Sequence, residues 1–229
     1  MAILELFATS GFDEAANLEA AKDAVNGIGE RLALAYAGQQ IEDPAYVHWA
    51  LQWTSLSARD SSVQDGTYKR LLNAAGSTLP RDPVVVTLKA TQRDTLASIL
   101  RTPVPEFAAT RMKNVAERTE ARQTLDGLLA GAHERATQGE LALTAVDDED
   151  IIVYVVGWRS MEDYQAERMK PSQKAKAEAA LTRMELLYPG YKLHRRPARS
   201  LLRPERGEHA SFALDLSARG AGVAVNILL

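Results

Sequence analysis

Three residues have side chains suited to proton chemistry if the fold brings them together: His48, Gln52 and Tyr36. In the run from Tyr46 to Leu56, YVHWALQWTSL, strand alternation puts Tyr46, His48, Ala50, Gln52 and Thr54 on one face. Val47, Trp49, Leu51 and Trp53 fall on the other. If the tryptophan face lies under helices, the His48 face lines an interior space, where an imidazole could act as a general base near neutral pH. Gln52 adds an amide to that face, and Tyr36, on the preceding segment, adds a hydroxyl able to orient a carbonyl or phenol. These three are the candidate catalytic residues. The flat rings of Trp49, Trp53, Tyr154 and Trp158 could stack on an aromatic ligand, and Tyr188 and Tyr191, near the last expected strand, could donate hydroxyls. Of these, Trp49, Trp53, Tyr154, Trp158 and Tyr191 are the candidate substrate-binding residues. Each has a plainer reading: a histidine hydrogen-bonded at a sheet face or rim, and aromatics that are sheet core.

Other chemistries lose their support. The chain has no cysteine, which removes thiolate nucleophiles, disulfides and cysteine-held metals. His48, His133, His194 and His209 form no pair at metal-ligand spacing, and His133-Glu134 is not followed by a second histidine four residues on. Serine-hydrolase elbows, dinucleotide-binding glycine motifs and phosphate-binding lysine loops are missing too. Neither a metal nor a cofactor is expected.

The elements that must position these residues come in two copies. YVHWALQWTSL returns as IIVYVVGWRSM, from Ile151 to Met161, at an offset of 105 residues that sets Trp53 on Trp158, Ser55 on Ser160 and Trp49 on Tyr154. Around the first copy, the sequence reads as a strand at Ile3 to Thr9, a helix from Glu14 to about Val25, a hairpin of Leu32–Ile41 and the opening run, a helix from Ser57 to about Ala75, and a strand from Val84 to Ala90. Around the second, strands are expected at Glu106 to Lys113, Glu140 to Val146, Ile151 to Trp158 and Tyr191 to Arg196, with helices at Glu117 to Ala136, Met161 to Lys170 and Ser172 to Leu187. Each order is β, α, β, β, α, β, the ferredoxin-like unit. The fold class is therefore α+β, with repeats at 1–92 and 106–197, a connector at 93–105 holding at most a short helical turn, and a C-terminal extension at 198–229. That extension has strand-like runs at Ser211 to Leu216 and Val223 to Leu229 behind an arginine-rich stretch.

Hydrophobic residues make up 46% and charged residues 25%, with a net charge of −3, so a broad nucleic-acid-binding face is not expected. The first residues do not read as a signal peptide, and no stretch reaches the 18 or so apolar residues that span a bilayer. No membrane partner and a cytoplasmic location are the expectations.

The segments Ala37-Gly38-Gln39-Gln40-Ile41-Glu42-Asp43-Pro44 and Gly157-Trp158-Arg159-Ser160 resemble the dimeric α/β-barrel superfamily, more narrowly the fungal proteins related to antibiotic-biosynthesis monooxygenase domains. The resemblance covers about residues 1 to 197. It implies two ferredoxin-like units whose sheets pack into a barrel, here within one chain, as a monomer or a homodimer. It also implies a cavity for a hydrophobic small-molecule substrate, polyketide- or terpene-like, and activities that include cyclisation, isomerisation, decarboxylation, haem degradation and cofactor-independent oxygenation. Some members of the superfamily have no demonstrated chemistry, and a non-catalytic ligand-binding or stress-associated role is the alternative. No catalytic residue carries over.

Overall fold

In the computed structural model, described for residues 1–12, 14–40, 45–76, 82–130, 137–187 and 199–200, every strand of the first half has one apolar face under helices and one turned inward. The elements are β1 (Ala2–Ser10), α1 (Glu14–Ile28), β2 (Leu32–Gln39), β3 (Tyr46–Trp53), α2 (Leu56–Gln64), α3 (Thr67–Ala75), β4 (Val84–Leu88) and α4 (Ala90–Leu100). They continue as β5 (Val104–Met112), α5 (Arg118–Ala130), β6 (Thr137–Thr144), β7 (Ile151–Trp158), α6 (Met161–Arg168), α7 (Pro171–Arg183), β8 (Met184–Leu186) and β9 (Arg199–Ser200). Two antiparallel sheets result, ordered β4-β1-β3-β2-β9 and β6-β7-β5-β8. They meet at one edge, where Val86 bridges Ala145 and the Val146 amide donates to the Val85 carbonyl at 2.8 Å.

The repeated Trp-x-Ser has a local cause. Ser55 and Ser160 are both helix N-caps in the same extended conformation, their hydroxyls accepting from the amides of Ala58 and Asp163. Each copy thus ends a central strand on a buried tryptophan and starts a helix three residues later.

Side chains sort by parity. In the first sheet Ile3, Phe7, Val47, Trp49, Leu51 and Trp53 pack with Ala21 and Ile28 of α1 and Tyr68, Leu71 and Ala75 of α3. Leu4, Leu6, Ala50, Val84, Val86 and Leu88 face the other way, into a cluster shared with the second sheet. The inner face of that sheet, through Phe107, Ala109, Leu141, Leu143, Val153 and Val155, is apolar.

Three expectations change. The helix expected from Ser57 to Ala75 is two, broken at Asp65-Gly66, where Gly66 takes the left-handed φ of 79°. The expected connector is largely helical: α4 starts at Ala90, within the expected first repeat, and runs to Leu100, with Leu96, Ile99 and Leu100 buried in the inner cluster. The helix expected to run to Leu187 stops at Arg183, and Met184–Leu186 pairs at once with β5, satisfying that strand's open edge. The strands expected at Tyr191 to Arg196, Ser211 to Leu216 and Val223 to Leu229 lie outside the described residues, as do Ile41, Glu42, Asp43 and Pro44 of the quoted motif. Arg199–Ser200 pairs with Tyr36 and Ala37 at the edge of the first sheet.

Candidate functional site

The register of β2 on β3 decides what the candidate catalytic residues can do together. Tyr36 pairs with Ala50, so on that face it stands diagonally between His48 and Gln52, while Gly38 pairs with His48 itself. Tyr36, His48 and Gln52 are therefore gathered on the inner face of the first sheet, all buried. The corresponding inner positions of the second sheet are Val153 and Gly157. Gly157 has a packing reason: a Cβ there would lie 2.7 Å from Thr102 Cγ2 and 3.3 Å from Ile99 Cα, because the end of α4 rests on it. The contrast between Gln52 and Gly157 thus follows in part from α4, and the contrast between His48 and Val153 is the one that sets a polar group into the inner space.

His48 is held by Gln40, which the sequence marks only as part of the motif from Ala37 to Pro44. Its Nε2 lies 3.0 Å from Gln40 Oε1, a geometry that fits Nε2–H donating to the amide oxygen. Burial lowers the His48 pKa to about 3, so the imidazole is neutral through the physiological range. Burial likewise raises the Tyr36 pKa well above that of a free phenol, keeping it a neutral donor. The signal for Gln40 was its place two residues past Gly38 on the same strand face, one step beyond His48.

The candidate substrate-binding rings stand elsewhere. Trp49, Trp53, Tyr154 and Trp158 are all on the helix-covered faces, away from the space between the sheets. Trp49 donates to Thr9 Oγ1 at 3.0 Å and lies in parallel against Phe7, with ring centroids 6.1 Å apart. Tyr154 is buried toward α5, with Arg122 and Asp126 as its charged neighbours. Tyr191 is outside the described residues.

Two buried glutamates were missed. The indole of Trp53 donates to Glu5 at 2.8 Å, and that of Trp158 donates to Glu106 at 2.5 Å. Glu5 also accepts from the Arg59 Nε and the Tyr68 hydroxyl, each at 2.9 Å. The second oxygen of Glu106 has no partner among the described residues, and burial pushes its pKa to about 7 although the Trp158 bond and Arg168 pull it down. A lone carboxylate within an apolar strand, in both copies, on the face that carries the tryptophans, was the available signal.

A half-open cleft of about 340 Å³ lies where β4 and β7 begin and β5 ends, with Val84, Ile151, Leu187 and Arg111 among its walls. Arg111 pairs with Asp148 at 3.2 Å across it. None of Tyr36, His48 and Gln52 lines it. Among the described residues, no group of three or more His, Asp or Glu is placed to hold a metal ion, and no helix is long and apolar enough to cross a membrane.

No protein-family model and no curated protein sequence matches the chain. Solved structures do. An anthrone oxidase-like protein superposes with a TM-score of 0.52 at 12% identity, over 93% of this chain and 96% of that one. A candidate monooxygenase from Fusobacterium nucleatum gives 0.52 at 9% identity, over 84% and 95%. A mutant chlorite dismutase from Candidatus Nitrospira defluvii gives 0.50 at 14% identity, over 82% and 88%. At such identities the likeness is one of fold: two ferredoxin-like halves in a single chain, arranged as a dimeric α/β barrel.

Proposed function

We propose that the chain is a small-molecule enzyme of secondary metabolism that takes a hydrophobic, polyketide- or terpene-like substrate between its two sheets. For a substrate with a carbonyl or phenol, cyclisation, isomerisation and cofactor-independent oxygenation can share a first step, transfer of a proton from the activated carbon or phenol to a base to leave an enolate or phenolate. The observation that carries the reading is the set Tyr36, His48 and Gln52, buried on one sheet face amid apolar residues. Such a site works by orienting the substrate in a dry space and by offering one proton acceptor. His48, neutral at rest, can accept that proton, and an anionic oxygen formed beside it raises its basicity. The fold-level likeness to an anthrone oxidase-like protein suggests hydroxylated tricyclic aromatics as first substrates to try.

A second reading, a non-catalytic ligand-binding or stress-associated protein, is favoured by α4, whose Leu96, Ile99 and Leu100 fill part of the space between the sheets. Turnover separates the two. Oxygen uptake and product masses with an anthrone panel should show catalysis by the wild type. His48→Ala should lower kcat by about 10²-fold or more, the scale of a lost general base, with little change in Tm. A variant as active as the wild type removes His48 from the mechanism, and no turnover on any polyketide or terpene tried favours the binding role.

A further inference from the structure

Two buried hydrogen-bond donors near His48 have no acceptor among the described residues: the Tyr36 hydroxyl and Gln40 Nε2. Both side chains are enclosed, Tyr36 at 3% and Gln40 at 1% exposure. They share a face. Tyr36 pairs with Ala50 of the inner cluster, and Gln40 turns its oxygen to His48. Between them on β2 is Gly38, paired with His48, so the position separating the two donors carries no side chain.

A buried donor left unbonded costs free energy comparable with a lost hydrogen bond. Phenylalanine in place of Tyr36 would avoid that cost at nearly constant shape, while at Gln40 the oxygen serves His48 and Nε2 is the donor left over. Two such donors on either side of a glycine are explained by an acceptor that arrives with a ligand. We propose that Tyr36 and Gln40 form the oxygen-binding site of the inner space, holding the carbonyl or phenolic oxygen of a planar apolar ligand over Gly38, beside the His48 imidazole. This rests on the reading that a small molecule is held between the sheets, and it names the functional group recognised. Both donors are neutral, which suits a ketone or phenol; a carboxylate or phosphate calls for a guanidinium. The apolar body of the ligand packs in the cluster to which Tyr36, Ala50, Leu6 and Val153 belong.

The test compares 1-naphthol with naphthalene, titrated by fluorescence into the wild type, Tyr36→Phe, Gln40→Met and the double variant, with ligand-free Tm measured for each. The wild type should prefer 1-naphthol by about tenfold, as expected of a site built to bond an oxygen function. Each single substitution should remove most of that preference while naphthalene affinity is kept, and Tyr36→Phe should melt no lower than the wild type, since it deletes an unsatisfied group. Equal binding of the two probes by the wild type, or a preference that survives in the double variant, overturns the oxygen-binding site alone. Failure of both probes to bind overturns it together with the reading of the inner space as a ligand site. A fall of several degrees in the Tm of Tyr36→Phe, with probe preference unchanged, makes the hydroxyl structural and likewise overturns it.

Discussion

A carboxylate buried against a tryptophan indole recurs in both halves, and the two copies are neutralised differently. Glu5, wholly buried, is answered by Arg59, whose guanidinium also lies 5.5 Å from the Tyr68 ring centre. Arg59 therefore compensates a charge that cannot reach water. Removing one partner of such a pair leaves the other stranded, which costs about 3–5 kcal/mol for a fully enclosed pair; with Arg59 still 22% exposed, about 1–3 kcal/mol is the expected loss for Arg59→Met. The double variant Arg59→Met/Glu5→Gln should recover much of it, because the Trp53 indole keeps an amide oxygen to bond. Urea denaturation of the single and double variants reads this directly. Equal destabilisation by both would show that the packing of Arg59 on Tyr68, not its charge, is what counts.

At the scale of elements, α4 is the piece that departs from a plain pair of ferredoxin-like units. Its end presses so closely on β7 that only glycine fits at 157. Gly157→Ala should destabilise by about 1–3 kcal/mol through overpacking, and Thr102→Ser, which deletes the nearest methyl but keeps the hydroxyl bonded to the Ile99 carbonyl, should recover part of that loss. Additive destabilisation in the double variant would mean that the contact relaxes elsewhere. This helix also shows where the sequence was silent. The two central strands and the helices that follow Trp-x-Ser were legible because alternation and the repeat are local patterns; which face of those strands lies under helices was not, since that is decided by packing. Residues Thr91 to Leu100 carry their apolar positions, Leu96, Ala97, Ile99 and Leu100, only in the second half, too short a stretch to show a helical period. What makes the whole segment a helix is the cover it finds on the second sheet, a tertiary effect. The two glutamates were hidden for the same reason: their partners Trp53, Arg59, Tyr68 and Trp158 lie at least 48 residues away in sequence.

Over the whole molecule, the two halves carry buried titratable groups of opposite sign, and the pH dependence of stability should show both. His48, in the first half, has its pKa lowered to about 3 from 6.5. The unfolded chain binds that proton more readily, so His48 makes the fold less stable as pH falls from about 6.5 toward 3. Glu106, in the second half, has its pKa raised to about 7 from 4.5. Here the folded state binds the proton more readily, and stability is lost as pH rises from about 4.5 through 7. Between about 4.5 and 6.5 the two slopes oppose each other, each near 1.4 kcal/mol per pH unit for one proton. Their contributions to the wild type should nearly cancel in that window. Glu106→Gln leaves the histidine slope alone, so its stability relative to the wild type should climb with pH. His48→Gln leaves the glutamate slope alone, and its relative stability should decline over the same range. Urea midpoints for the three proteins at pH 4.5, 5.5 and 6.5 decide the matter: curves that fan apart in opposite directions place one buried ionisable group in each half, and parallel curves would mean that water reaches His48 and Glu106 in solution.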